Sequence, residues 1–146
     1  VPHLRAVTDR DVEEKSMSYF DTVKQYLLDL QLSIVSEDPA EGIVVVEDED
    51  RGLKNLVVDC EERILVFEQI IMPVPSNPGD MFRHLLQMNR CIVQGAFALD
   101  EEGKRVLYRN TLQLANLDAN EVEGTIEALS LTLAEFASEL IAFHKQ

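Results

Sequence analysis

Histidine and cysteine are the residue types in this 146-residue chain best suited to metal binding or nucleophilic chemistry. The three histidines, His3, His84 and His144, stand far apart, and none has a second histidine or a cysteine at ligand spacing. A metal centre needs three or four converging ligands. The pattern therefore predicts no metal site, and no other motif requires a cofactor.

Cys91, His84 and Asp100 could in principle supply a nucleophile, a base and an orienting carboxylate. Cys91 opens an apolar strand-like run, however, with no glycine-rich turn or helix dipole beside it to activate the thiol. Cys60 lies in a similar run. We interpret both as buried structural thiols, as expected in a reducing compartment, and we predict no catalytic residue.

Carboxylates are numerous, but their spacing is not that of a calcium loop. The acidic run EDED at positions 47–50 lacks the alternation and the central glycine of an EF-hand. We interpret it as the solvated tip of a hairpin, with a weak divalent-ion site or a basic-partner site as the alternative. Neither a glycine-rich phosphate loop nor a nucleophile elbow occurs in the chain.

The charge balance limits the classes of partner. The chain has 27 acidic and 13 basic residues, a formal net charge of -14. Nucleic acids and anionic membranes bind through lysine and arginine, so we expect neither as a partner. No segment approaches the ~20 apolar residues of a membrane span, and the N-terminus has no signal-peptide core. We expect a cytoplasmic protein with basic, apolar or polypeptide partners, although the acidity could serve solubility alone.

Hydrophobic periodicity predicts helices over 11–30, over 78–90 and from Asp118 onward, the last with a capping box of Asp118 and Glu121. Short β-rich runs over 32–36, 42–48, 53–60 and 63–71, and a hairpin of 91–99 with 104–115, predict antiparallel strands. The predicted class is α+β, an antiparallel sheet with helices packed on it in the order α-β-β-β-β-α-β-β-α. We expect one domain over 1–146, with 1–8 as a flexible tail. The last helix carries an apolar stripe of Val122, Ile126, Leu129, Leu133, Phe136 and Leu140.

The helix predicted over 78–90 has two apolar rows, which need two packing partners. We expect one row to pack on the sheet and the other on a second copy of the chain. The predicted dimer interface comprises Met81, Phe82, Leu85, Leu86 and Met88.

The first helix carries apolar residues outside its main stripe. Met17 and Leu28 lie off the stripe, and Phe20 lies between the two faces. We predict that the three are exposed and contiguous and that they bind a partner protein.

Four polar residues stand where the second helix ends and where the last strand has its centre. They are Asn89, Arg90, Arg109 and Asn110. We expect a structural hydrogen-bond network that ties the helix to the strand, with a ligand-binding role as the alternative.

The element order, the helix ending LLQMNR, the hairpin GAFALDEEGKRVLYRNTLQL and the helix start LDANEVEGTIEAL resemble the type III secretion chaperone-like superfamily. That group includes the Tir-chaperone and YbjN families. The resemblance implies an acidic, cytoplasmic, non-enzymatic homodimer whose second helix contributes to dimerisation. It also implies that an extended segment of an effector wraps around exposed apolar patches. The additional early strand and the close hairpin spacing favour the YbjN side.

Together these observations predict a non-enzymatic homodimer that holds a segment of a partner polypeptide on an apolar surface. One alternative is a regulator that senses a small molecule in a pocket between the sheet and the C-terminal helix. The other is an enzyme, which would need Cys91, His84 and a carboxylate to converge in a cleft.

Overall fold

The computed structural model describes the backbone of residues 9–145 and the side chains of 19–145. The predicted tail over 1–8 and the side chain of Met17 lie outside the described residues. The elements are helices α1 (Asp9–Asp29), α2 (Met81–Cys91) and α3 (Ala119–His144) and strands β1 (Ser33–Asp38), β2 (Ile43–Asp48), β3 (Leu53–Cys60), β4 (Ile64–Pro73), β5 (Ala96–Leu99) and β6 (Arg105–Gln113).

The six strands form one sheet in the order β1-β2-β3-β4-β6-β5, and every neighbouring pair is antiparallel. The short connections between sequential strands favour this arrangement, because parallel neighbours would need long crossovers. The predicted α+β class and element order are confirmed. β1 and β5 are the two edge strands of the sheet.

Alternation along the strands divides the sheet into a buried face and an open face. Leu56, Val58 and Cys60 alternate along β3 and share the buried face, which α1 and α3 cover. The main core joins both helices to the sheet through the buried side chains Phe20, Val23, Leu27, Val44, Val46, Leu56, Val58, Leu65, Phe67, Tyr108, Val122, Ile126 and Leu129.

A second apolar cluster lies under α2. It joins the inner row of that helix to the C-terminal half of α3 and to the ends of β4, β5 and β6. Its buried members are Met72, Met81, Leu85, Met88, Phe97, Val106, Phe136, Leu140 and Phe143. This cluster fixes α2 beside the β5 end of the sheet.

Two predicted element boundaries are wrong, and a glycine explains each. The second helix begins at Met81 because Gly79 has a φ of 55°, which is left-handed backbone and not helical. The predicted strand from Cys91 is shortened to Ala96–Leu99, because α2 continues to Cys91 and Gly95 has a φ of 77°. The predicted cap of the last helix is confirmed, since Asp118 Oδ1 accepts from the Glu121 N–H at 2.9 Å.

One arginine connects three elements behind the β2–β3 turn. Arg51 Nη1 donates to Leu30 O at the end of α1 at 3.0 Å and to Asp48 Oδ2 at 2.7 Å. The backbone oxygen of Arg51 accepts from Ser130 Oγ, in the middle of α3, at 2.8 Å. This turn therefore links both helices that cover the sheet.

Candidate interaction surfaces

An open apolar groove of about 220 Å³ runs between α2 and the edge strand β5. The outer row of α2 forms one wall, with Phe82 39% and Leu86 71% exposed. We call this the α2–β5 groove; its lining residues are Phe82, Leu85, Leu86, Asn89, Phe97, Ala98 and Leu99. Such an uncovered apolar surface on a helix is a feature of interaction sites.

The inner row of α2 packs within the protomer. Met81 and Met88 lie in the second cluster, and Leu85 lies beneath the groove with little exposure. The inner row is therefore the one that packs on the sheet, and these three residues do not present an exposed surface to a second copy. Of the five predicted dimer residues, Phe82 and Leu86 are the exposed ones.

Asn89 closes the inner end of the groove. Its Oδ1 accepts from the Phe97 N–H at 2.7 Å, and its Nδ2 donates to the Phe97 carbonyl at 3.0 Å. One side-chain amide thus satisfies both backbone groups of a residue in the edge strand, as a neighbouring strand would. This contact docks the end of α2 onto β5.

The predicted network residues do not bond to one another, and Asn89, Arg109 and Asn110 each have different partners. Arg109 Nε lies 2.8 Å from Glu68 Oε1 on the open face of the sheet, where the two residues are cross-strand partners. Asn110 Oδ1 accepts from the Thr111 N–H at 2.8 Å, and its buried Nδ2 has no hydrogen-bond partner among the described residues. The expectation of one shared network was wrong, because Arg109 and Asn110 point to opposite faces of β6 and Asn89 is engaged by β5.

The second exposed surface lies at β1, the other edge of the sheet. Every residue of β1 except Ile34 is exposed, and Val35 is 48% exposed. Lys24 of α1 pairs with Glu37 of β1 at 2.7 Å, so this side of α1 meets the strand. Leu28 lies one helical turn beyond Lys24 on the same side and is 42% exposed. We call β1 with Leu28 the β1 edge.

Phe20 does not belong to this surface. Its ring is 4% exposed and packs in the main core with Val23 and Leu27. The prediction of an exposed Phe20 was wrong, because the rotation of α1 on the sheet turns this intermediate position inward. Met17 lies outside the described side chains, so Leu28 is the member of the predicted trio that the structure places at the surface.

Acidic residues are absent from the stretch around the groove. Residues 81–99 contain no Asp or Glu in a chain that has 27. Two arginines, Arg83 and Arg90, are exposed on the outer side of α2. Neither forms an ion pair with any residue that the structure describes. The helix that forms one wall of the groove therefore carries two exposed positive charges and no negative ones, on a strongly acidic protein.

Acidic residues instead gather on the open face near β2, β3 and β4. The pKa of Asp59 is raised to about 6, chiefly by burial and then by the charge of Glu61, with which it shares a hydrogen bond. The charges of Glu68 and Glu41 raise it further. This part of the sheet is thus under electrostatic repulsion at neutral pH.

The acidic run over 47–50 forms local structure at the β2–β3 turn. Asp48 caps a short 3-10 helix, Glu49–Arg51, by accepting from the Asp50 N–H at 3.1 Å. Among residues 19–145, no group of three or more His, Cys, Asp or Glu side chains is placed to hold a metal ion. The run is therefore a helix cap and an exposed tip.

The cysteines differ from each other in their surroundings. Cys60 is buried as predicted, and burial followed by the charge of Asp59 raises the pKa of its thiol to about 12. Cys91 is exposed at the end of α2, so the prediction that it is buried was wrong. The cause is the continuation of α2 through a position that the sequence pattern assigned to a strand.

The hypothetical catalytic set is not assembled. His84 and Cys91 stand seven residues apart on α2, about 10 Å along the helix axis. The His84 ring lies edge-on to Phe143, with centroids 5.6 Å apart. Asp100 Oδ1 accepts from the backbone N–H groups of Lys104 and Arg105 in the hairpin turn. Each of the three side chains thus has a different setting.

A sensing pocket beneath the C-terminal helix was the other alternative. The α2–β5 groove does touch Asn89, but it lies beside α2 and is open to solvent. It is not the enclosed site between sheet and α3 that this alternative describes.

No helix in the described part of the chain is long and apolar enough to cross a membrane.

Comparison with known proteins places this fold in a family. The profile of the CesT_Tir_1 family matches residues 16–146, and the chain belongs to that family. The resemblance to type III secretion chaperone-like proteins is therefore confirmed. A search of curated proteins finds no match.

Solved structures share the fold at low sequence identity. YbjN from E. coli, described as a candidate transcription regulator, has a TM-score of 0.63 at 17% identity and covers 82% of this chain and 91% of its own. SchA in the HopA1–SchA chaperone–effector complex has a TM-score of 0.56 at 12% identity, covering 90% and 98%. The Yersinia pestis type III secretion chaperone SycH, in complex with a fragment of YscM2, has a TM-score of 0.49 at 16% identity, covering 86% and 98%.

Proposed function

We propose that this chain is a non-enzymatic, cytoplasmic, single-domain protein that forms a homodimer and holds a segment of a partner polypeptide. Membership of the CesT_Tir_1 family supports a protein-binding role, as does the likeness to SchA, a protein solved in a chaperone–effector complex. The observation that carries the proposal is the exposure of two different surfaces, the α2–β5 groove and the β1 edge.

The groove is the surface for the second copy. Each copy carries a net charge of -14, so two copies repel one another over most of their surfaces. The acid-free stretch 81–99 provides a region where they can approach with less repulsion. The exposed rings and methyl groups of Phe82 and Leu86 supply apolar area there, and its burial stabilises association by about 25 cal/mol per Å² of area removed from water.

Two matched substitutions test the dimer. Leu86→Glu places an acid in the groove, whereas Leu131→Glu makes the same change on α3 at a leucine that is 70% exposed, against 71% for Leu86. We expect light scattering to give a dimer mass for the wild type and for Leu131→Glu and a monomer mass for Leu86→Glu. A monomeric wild type, or equal masses for the two variants, would contradict the assignment.

The β1 edge is the surface for the partner polypeptide. A strand at the edge of a sheet presents unpaired backbone groups, and an extended peptide can add to them as a further strand. Leu28 and Val35 offer apolar contacts at this edge. Asp38 repels the same edge of another copy and favours a partner segment that carries lysine or arginine, whereas the charge of Glu37 is partly balanced by Lys24.

Recovery of a partner from lysate of the source cells tests this edge. We expect the wild type to retain one stoichiometric polypeptide, and Val35→Lys to lose it because lysine disfavours strand addition at an edge. Leu131→Lys is the control with the same new charge away from the edge, and it should retain the polypeptide. Equal retention by the two variants would place the partner elsewhere.

A further inference from the structure

We propose that Asn89 determines how the groove is occupied: its amide closes the edge of β5 to a strand, so that a second copy enters through the side chains of its own α2. This inference rests on the proposed homodimer for its occupant. The closure of β5 concerns the protomer alone and can be tested separately.

The direction of the backbone groups in β5 follows from its pairing. The Asp100 N–H donates to Arg105 O across the β5–β6 pair at 3.1 Å. Because antiparallel residues alternate between facing the partner strand and facing away, Ala98 also faces β6. Phe97 and Leu99 therefore direct their N–H and C=O groups away from β6, toward the free edge.

Asn89 occupies one of these two outward positions completely. With Phe97 bonded to Asn89 at 2.7 and 3.0 Å, Leu99 is the remaining outward residue of this four-residue strand. A polypeptide strand laid along β5 would have to displace the amide or pair with Leu99 alone. A single residue pair does not hold a strand, so the extended mode of binding is unavailable at this edge.

The groove still offers side-chain contacts. Phe82 and Leu86 line the α2 wall of the groove and are 39% and 71% exposed. A helix from a second copy can pack its own Phe82 and Leu86 against them without any backbone pairing. The dimer is then helix to helix and not one continuous sheet through β5.

Amide hydrogen exchange and solution mass test the closure in the full chain. Asn89→Ala removes both bonds, and we expect the Phe97 amide to exchange at least 10-fold faster than in the wild type at low protein concentration. As concentration rises, we expect Asn89→Ala to form species heavier than the wild-type assembly, because its β5 edges can pair. Unchanged Phe97 exchange, or a mass equal to wild type at every concentration, would overturn the proposal.

Asn89→Asp separates closure from a general loss of α2 docking. Aspartate keeps an acceptor for the Phe97 N–H but loses the donor, and its charge repels an incoming strand. We expect slow Phe97 exchange and no heavier species for this variant. Heavier species from both variants would mean that loosening of α2 is the cause, and the proposal would fail. Slow exchange of the Phe67 amide, in the core of β4, confirms that a variant is folded.

The wild-type mass decides the homodimer independently. If the wild type is a monomer while Asn89→Ala shows fast Phe97 exchange and forms heavier species, the closure of β5 is supported and the dimer is rejected. If the wild type is a dimer and Asn89→Ala behaves identically, the dimer is supported and the closure is rejected.

Discussion

The two edges of this sheet are treated differently by the chain. At β5, the Asn89 amide satisfies both outward backbone groups of Phe97, and α2 runs alongside. At β1, a register shift between Ile34 and Ser36 and two acidic residues discourage pairing of like edges, but no hydrogen bond from the described residues occupies the outer backbone of 33–37. The β5 edge is thus closed by hydrogen bonds from a residue of the same chain. The β1 edge stays open, and its acidic residues only favour some partners over others.

One small sheet can therefore serve two kinds of contact. An open edge offers backbone pairing, which tolerates many side-chain sequences and suits an extended segment. A closed edge beside an apolar helix offers side-chain packing, which depends on shape. Four substitutions and one matched control test this difference between the edges, in order of decreasing effect.

The largest effect is expected from a substitution at Gly95, the residue that precedes β5. Gly95 has a φ of +77°, and an added Cβ would stand 2.9 Å from Arg109 O and collide with the Tyr108 ring. Gly95→Ala should lower the free energy of unfolding by about 3 kcal/mol, since strained backbone and overpacking add. Urea denaturation followed by circular dichroism measures this loss.

Gly103→Ala is the matched control for that experiment. Gly103 has a similar φ of +70° but nothing within 4 Å of the added Cβ. We expect a loss of about 1 kcal/mol from backbone strain alone. Equal losses for the two variants would show that close packing against Tyr108 is not important at the closed edge.

Tyr108→Phe tests the hydrogen bond that holds the segment before β5. Tyr108 Oη donates to Gln94 O at 2.6 Å, and its removal should cost about 1 kcal/mol at neutral pH. Burial raises the pKa of Tyr108 from 10.0 to about 12. The neutral phenol thus stabilises the fold fully below pH 10, and this contribution is lost as pH rises toward 12. The stability difference between wild type and variant should shrink above pH 10; a constant difference would contradict the role of the phenol.

Asp59→Asn tests the electrostatic repulsion on the acidic, open face of the sheet. The pKa of Asp59 is raised to about 6 in the folded protein against 3.8 in the unfolded chain, so stability is lost as pH rises through 6. The variant removes this loss, and it should be more stable by about 1 kcal/mol at pH 7 after allowance for solvent screening. The advantage should vanish below pH 3.8, and an advantage that persists in acid would contradict the repulsion between Asp59 and its acidic neighbours.

The smallest effect is expected at the open edge itself. Lys24→Met removes the 2.7 Å pair with Glu37, whose side chains are both about one-third exposed. We expect a loss of about 0.5 kcal/mol or less in urea denaturation, and less still at high salt, because exposed ion pairs are weak and screened. A loss above 1 kcal/mol would mean that β1 is fixed to α1 more firmly than its exposure indicates.

Periodicity alone predicts much of this fold. The apolar stripe of α3, the alternation of Leu56, Val58 and Cys60, and the two rows of α2 each repeat with the period of one regular element. Such patterns are local, and the structure confirms the elements that they predict. The boundaries at Gly79 and Gly95 are different, because a left-handed glycine interrupts an element without changing the apolar pattern around it.

The candidate site was predicted only in part. The outer row of α2 is readable from spacing, and Asn89 stands out as a polar residue at the end of an apolar helix. Its partner is a backbone group eight residues later, and no side-chain pattern marks a backbone group. Phe20 lies between the two faces of α1 in the sequence pattern. Its burial depends on how α1 is oriented against the sheet, which the pattern of one helix does not specify.

Arg51 has a consequence for how the two helices that cover the sheet are joined. Its guanidinium donates to the Leu30 carbonyl at the end of α1. Its own carbonyl accepts from the hydroxyl of Ser130 in α3, 79 residues further along the chain. Arg51 therefore links the end of α1 to the middle of α3 in addition to the packing of the two helices in the main core. The helices that cover the sheet are held to each other by polar bonds at one end and by apolar contacts along their length.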